Sequence, residues 1–408
     1  LGFALDADAD TLAVYKNNSL LGTMTSLGYE KYSPIWTFAG AHSLNVNFGQ
    51  RPFAYTPPTG FKKLNTFNLP DSTVEDGSEY FNTVTFSGNG SAASVTGVGF
   101  QPDFIWAKNR TNAYNHELWD AIRGVNSDLA SNNTSAEITD INRLVSFDSD
   151  GFSYGTSSNL YVNGTNSVAW NWKANGSGSS NTDGSVTSTV SVNTTAGFSI
   201  VSFTSPSSGS FTMGHGLGAS PDWIVMKRRA SSANWGIFHS AVCTNEDKYF
   251  IFNTNALISY TDYWGTALPT NTVFGANVGA SAIANEAMIA YCFAEVEGYS
   301  AFGSYTGNGS TDGPFIYTGF RPSFVIFKSS NQTTNWMMFD TTINPINEAK
   351  SQLWPNLANA ENTNSVGIDF LSNGIKLRGA LTATNAATSY NYIYMAFAEN
   401  PFKNANAR

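Results

Sequence analysis

Charge is scarce in this chain. Asp, Glu, Lys and Arg make up 12% of its 408 residues, about half the roughly 25% of an average soluble domain. The 21 Lys and Arg are outnumbered by 30 Asp and Glu, for a net charge of −9. That balance argues against a nucleic-acid partner, because phosphate binding needs a basic face. The one basic run, Lys227, Arg228 and Arg229, follows an apolar run and reads as a solvated turn. Cysteine is nearly missing. Cys243 and Cys292 are too few for a disulfide framework and leave either one bridge or, the expected state, two buried free thiols. No Cys-x-x-Cys or Cys/His cluster offers zinc its ligands. The four histidines, His42, His116, His215 and His239, hold non-equivalent places and outline no catalytic triad. His239 reads as a polar site at a strand edge. GHGLG at 214–218 lacks the Lys-Ser/Thr of a phosphate loop and reads as a flexible turn. The longest apolar run, Ala287 to Ala294, falls well short of the roughly 18 residues that span a bilayer.

What the chain does have is a phrase that it writes three times. Residues 99–110 read GFQPDFIWAKNR, 218–229 read GASPDWIVMKRR, and 319–330 read GFRPSFVIFKSS. Each has Pro three residues after Gly, then a run of four apolar residues, then Lys108, Lys227 or Lys328. Such a run bounded by turn residues predicts a strand buried on both faces. Pro102, Pro221 and Pro322 suit a strand entrance, where no ladder N–H is needed. The lysines mark the expected exit from the core. Other residues keep phase: Asn115, Asn234 and Asn335, then the aromatics Trp119, Phe238 and Phe339, seventeen residues after each Pro. A closing apolar segment centres on Trp172, Phe293 and Phe397, which lie 70, 72 and 75 residues beyond the Pro. With 41% apolar and 14% aromatic residues, each copy of roughly 100 residues is long enough to bury a core. The surface that remains is neutral and rich in hydroxyls and amides.

Residues 1–64 differ. Short alternating strands run around turns at Asp8–Asp10 and Asn17–Asn18. Asp6, Asp8 and Asp10 look like a calcium loop, but Thr11 and Asn17 stand where an EF-hand needs Gly and Glu. The strand pair from Ala4 to Gly22 and the segment from Tyr32 to Gly49 resemble the C-terminal part of a SPRY domain. That resemblance implies a concanavalin-like β-sandwich used as an interaction module. Its earlier strands are absent, as expected of a piece of a longer chain. Residues 65–79 and 176–185 read as polar, flexible linkers. The modules are then 80–175, 186–297 and 298–408, the last two joined directly and expected to pack as a rigid pair. Residues 346–354 read as a short helix or an irregular loop.

Residues 185–408 resemble a repeated domain of uncharacterised function in bacteriophage tail-fibre and other virion proteins. The phrases that carry this are TTAGFSIVSFTSPSSGSFTMGHGLGASPDWIVMK, AYCFAEVEGYSAFGSYTGNGSTDGPFIYTGFRPSFVIFK, IDFLSNGIKLRG and YMAFAENPFKNANAR. The resemblance implies a virion setting, and for oligomeric state a homotrimer; it supplies no active site.

Candidate chemistry is thin. Asp148 and Asp150 are a carboxylate pair of the kind glycosidases use, but FLSNGI at 370–375 replaces FDSDGF in the third module, which points to a hairpin turn. Glu295 and Glu399 recur after the closing segments, as if sharing a structural task. Tyr390, Tyr392 and Tyr394 alternate into the closing segment, with one face expected in the core. The best binding candidate is YTDYWG at 260–265, which gathers Tyr260, Tyr263 and Trp264 in the second module alone. Exposed aromatic faces stack on sugar C–H groups and keep a polar handle; the competing reading packs two of the three under a loop.

The expectation is therefore an all-β chain: a partial SPRY-like sandwich followed by three related sandwich-like modules. It is read as a non-enzymatic virion structural protein on the particle exterior, a tail fibre involved in host attachment. A head-decorating fibre or a polysaccharide-depolymerising tailspike is the alternative. Catalytic residues, metal and cofactor are expected to be none. The partners expected are other virion proteins, itself, and a host cell-surface glycan or protein, without nucleic acid or membrane insertion.

Overall fold

A computed structural model describes the chain except residues 29–42, 66–67, 70, 260–261, 365 and 404–408, and the side chains of 257–259. The described residues are all-β and fall into two compact units, Leu1–Asp71 and Ser72–Arg408.

In the first unit, Gly2–Asp6, Thr11–Lys16 and Ser19–Thr25 form an antiparallel meander. Asn17 and Asn18 take φ of +52° and +67°, the left-handed pair that a two-residue hairpin turn requires and Asn tolerates. The aspartates shape turns: Asp6 Oδ1 accepts the Ala9 N–H at 2.9 Å, and Asp10 Oδ2 accepts the Gly28 N–H at 2.9 Å. Most of the segment from Tyr32 to Gly49 lies outside the described residues.

In the second unit one four-strand order occurs three times. The first module pairs Phe81–Ser87, Asn166–Trp172, Phe104–Asn109 and Glu117–Asp120, in that spatial order. The second repeats it with Phe198–Thr204, Ala287–Phe293, Trp223–Arg228 and Gly236–His239, and the third with Ser300–Thr306, Asn391–Pro401, Phe320–Ser329 and Met337–Asp340. Register agrees to the residue. The position two after each Pro faces the central aromatic of the closing strand: Phe104 with Trp172, Trp223 with Phe293, Phe324 with Phe397. A smaller sheet covers one face of each, as in Ala93–Thr96, Gly151–Tyr154 and Leu144–Asp148 of the first module.

This layering explains the unbroken apolar run. In the first module Ile105, Ala107, Trp119 and Ala169 face the small sheet and its Phe152 and Tyr154. Phe104, Trp106, Trp170 and Trp172, on the alternate face, join one core shared by all three modules. At its centre Trp172, Phe293 and Phe397 meet, with ring centroids 6.2, 5.7 and 5.8 Å apart. The modules are thus arranged about a pseudo-threefold axis, and each Pro-led strand is buried on both faces because a sheet lies on one side and the axis on the other.

Several expectations change. Residues 176–185 are no free linker, because Ser179–Asn181 extends the second module's sheet to eight strands. Residues 72–79 are tied in as well: Val74 is buried, and Ser72 donates to the Glu297 carbonyl at 2.9 Å. Of the two readings of residues 346–354 the irregular loop holds: they contain no helix, and Ala349 and Leu353 make isolated bridges to Ile368 and Met338. The packing expected of the last two modules involves all three, which share one core.

Candidate functional site

The aromatic loop takes the less interesting of its two readings. Tyr263 is 6% exposed and Trp264 0%, so neither offers a face to a ligand; Tyr260 lies outside the described residues. Tyr263 stacks on Tyr249 at 3.6 Å, and Trp264 packs edge-on against Phe238 while its Nε1–H donates to the Lys248 carbonyl at 2.9 Å. The cause is Gly236. A Cβ there would fall 1.9 Å from the Tyr263 hydroxyl, so the tyrosine fills space that Glu117 and Met337 occupy at the same strand position of the sister modules. The cluster is unique to this module because it compensates for a glycine unique to it. Replacing Tyr263 with Ala should lower stability by about 3 kcal/mol, as for other buried aromatic truncations; a thermal midpoint unchanged within a degree would return the residue to the surface.

The polar residues of the repeat turn out to be joints. Asn115, Asn234 and Asn335 each accept a side-chain bond from a second Asn, Asn132, Asn253 or Asn356, at 2.8, 2.9 and 2.8 Å. The second Asn also accepts the backbone N–H of His116, Trp235 or Trp336. Those three side chains reach into the preceding module of a cycle. Trp235 Nε1–H donates to Ala130 of the first module at 2.9 Å, and Trp336 Nε1–H to Ile251 of the second at 3.2 Å. His116 Nε2 closes the ring on the Trp354 carbonyl of the third at 3.0 Å. Arg229–Glu137 and Arg110–Glu361 ion pairs reinforce two of the junctions.

The lysines do not exit the core. Lys108, Lys227 and Lys328 are buried, and burial lowers each ammonium to about 8. Lys227 Nζ donates to Thr134 and Lys328 Nζ to Asn255, both at 3.0 Å and both carbonyls of the preceding module. The basic run is correspondingly no solvated turn: Lys227 is buried and Arg229 is clamped on Glu137.

The three described histidines are sealed in as well, His239 included, which is a junction residue and not a strand edge. In each, Nδ1 accepts and Nε2 faces a carbonyl, so the neutral ring protonated at Nε2 satisfies both atoms. His116 takes the Trp106 indole N–H at 2.8 Å; His239 takes the Ala241 N–H and faces the Tyr394 carbonyl at 3.3 Å; His215 takes the Leu217 N–H and faces Thr270. Burial lowers His116 to about 3 and His239 to about 4, and lowers His215 too. GHGLG is anchored through His215.

The carboxylates are likewise structural. Asp150 caps a hairpin by accepting the Gly97 and Gly99 N–H groups at 3.1 and 2.6 Å. Glu295 accepts the Phe302 N–H, whereas Glu399 pairs with Arg321, so the recurrence hides two different tasks. Asp120, buried, holds Arg123 and the Tyr291 hydroxyl of the second module, and Asp340 holds Thr83 and Trp170 of the first. Glu117 and Asp128 share Arg143, and desolvation raises both. Cys243 and Cys292 are buried free thiols, both pushed up by burial. Tyr392 and Tyr394 share one face of their strand and are buried, as expected; Ile393 and Met395 on the opposite face are buried too, so that strand is covered on both sides. Among the described residues no group of three or more His, Cys, Asp or Glu is placed to hold a metal ion.

One surface feature escaped the sequence reading. Phe315 and Tyr317 are the most exposed aromatic side chains among the described residues of the second unit, at 45% and 58%. The corresponding strand positions of the first module carry Ser94 and Thr96. That module comparison was available in the sequence, but two aromatics in FIY at 315–317 look like any core strand.

Fold and joints together define an all-β domain in which three sandwich modules of one chain close a ring. The chain belongs to the family of the domain of unknown function DUF7483, whose profile matches residues 76–401. The match starts before the first strand of the first module and ends with the closing strand of the third, so the family's unit is the whole ring. No curated protein and no solved structure matches the chain.

Proposed function

We propose that this chain is a non-enzymatic structural protein of a bacteriophage particle, a tail fibre that takes part in host attachment. The observation that carries the reading is the ring itself. Lys227, Lys328, His116, Trp235 and Trp336 are engaged in joints between modules, which suits a rigid part that must survive outside a cell. The phrase-level resemblance of residues 185–408 to virion proteins supplies the setting, and the SPRY-like meander adds an interaction module. The neutral surface suits contact with uncharged polar partners. Electron microscopy of particles carrying a tag on this chain should place it on the tail, whereas density on the head would make it a decorating fibre. Incubation with host surface polysaccharide should release no oligosaccharide; release would overturn the non-enzymatic reading in favour of a depolymerising tailspike.

A further inference from the structure

The small sheet of the third module presents an outward face unlike those of its sisters. Its edge strand Phe315–Tyr317 turns Ile316 inward, 4% exposed, and the two aromatic rings outward. Each ring lies against a glycine. Phe315 covers Gly374, where a Cβ would sit 2.9 Å from the ring, and Tyr317 lies beside Gly319, 3.7 Å from the same construction. With no side chain on either glycine, the two exposed rings form an apolar platform on the outward face of the sheet. Lys376 stands directly across from Phe315. Its ammonium is 2.6 Å from Asp312, and Arg378, on the same face, is paired with Asp369. Both cations are therefore compensated by neighbouring carboxylates, and the platform is ringed by hydrogen-bonding groups without net charge.

We infer that this face is a saccharide-binding site for a neutral glycan. The rings take the apolar C–H face of a pyranose, and Lys376, Asp312 and the Tyr317 hydroxyl are the hydrogen-bonding groups at its rim. An acidic sugar would have to displace Asp312 or Asp369 from its cation, so charge selects an uncharged chain. The outward positions of the second module's counterpart strand are Ser210 and Thr212, so among the described residues the ring carries this platform once. Single sites of this kind bind weakly, and linked copies on a particle raise attachment through effective concentration. The biological role rests on the attachment reading, but the site does not. Loss of sugar binding would leave the virion location standing, and a different location would leave the sugar binding standing.

The test is saturation-transfer NMR on the full chain with neutral oligosaccharides: maltoheptaose, cellopentaose, chitopentaose and a galacto-oligosaccharide. Transfer is expected to the ring C–H protons of at least one of them, falling at least tenfold in the Phe315→Ala/Tyr317→Ala double variant while the thermal midpoint stays within about a degree. Two single variants, Phe315→Leu and Tyr317→Phe, keep the surface apolar and should lose transfer in part. Silence from the whole panel overturns the site, as does transfer that the double variant leaves intact. If the double variant instead converts an oligomer to a monomer, the face buries a second copy of the chain and the saccharide assignment is wrong.

Discussion

Acidification from pH 6.5 to pH 4 is expected to remove stability through the junction histidines. In an unfolded chain a histidine takes its proton near pH 6.5, whereas folded His116 and His239 wait until about pH 3 and 4. Between those values the unfolded state binds more protons, so stability falls as pH falls. At about 1.4 kcal/mol per pKa unit, His239 alone contributes on the order of 3 kcal/mol of loss by pH 4, and His116 a similar amount. The damage is local to the ring, because a second ring proton on His116 would point at the Trp106 indole N–H. Carboxyls work in the opposite direction: Glu117, Asp128 and Asp340, raised by desolvation, take up protons first in the folded state. Comparing wild type with His239→Gln separates the two. Denaturant melts between pH 7 and 4 should show the variant losing stability less steeply, by close to one proton. Equal slopes would mean that His239 is not held neutral.

Trp172→Ala should lower the stability of the second unit by about 3–5 kcal/mol, the range for buried aromatic truncations, although the residue belongs to the first module. Its indole touches Phe81 and Phe104 of its own module and Phe293 and Phe397 of the other two. A cavity on the axis therefore weakens all three sheets at once. Calorimetry should show residues 72–408 melting in one transition, in wild type and variant alike, with calorimetric and van't Hoff enthalpies agreeing. Three separable transitions, of which Trp172→Ala moves only one, would mean that the modules are beads and the ring joints are weak.

How far the sequence could be read depended on the range of the forces involved. Strand position and class were legible, because an apolar run of four between Pro and Lys carries its own boundary signals. The constant offsets of Asn115, Asn234 and Asn335 were visible too, but their partners Asn132, Asn253 and Asn356 follow at 17, 19 and 21 residues. That drift, set by loop length, hid a bond made identically three times. The Tyr260–Trp264 cluster misled for a related reason. Aromatic composition does not state burial, and the deciding vacancy at Gly236 lies on another strand, readable only by setting it beside Glu117 and Met337.

By itself, then, the sequence determined that this protein is all-β, that most of it is one module written three times, and which strand of each module lies deepest. Those properties follow from local patterning, and local patterning is what a chain displays. Only the tertiary structure decided that the modules close on one another about an axis. It also decided that Lys108, Lys227 and Lys328 are buried and not at an exit, and that histidines at unrelated-looking places are sealed neutral. Except at Lys108, whose ammonium donates to the Asn109 and Asn112 carbonyls just beyond it, those outcomes are fixed by a carbonyl or an indole that another part of the chain brings within about 3 Å, the distance at which a hydrogen bond forms. Nothing along the sequence marks that distance until the ring has closed.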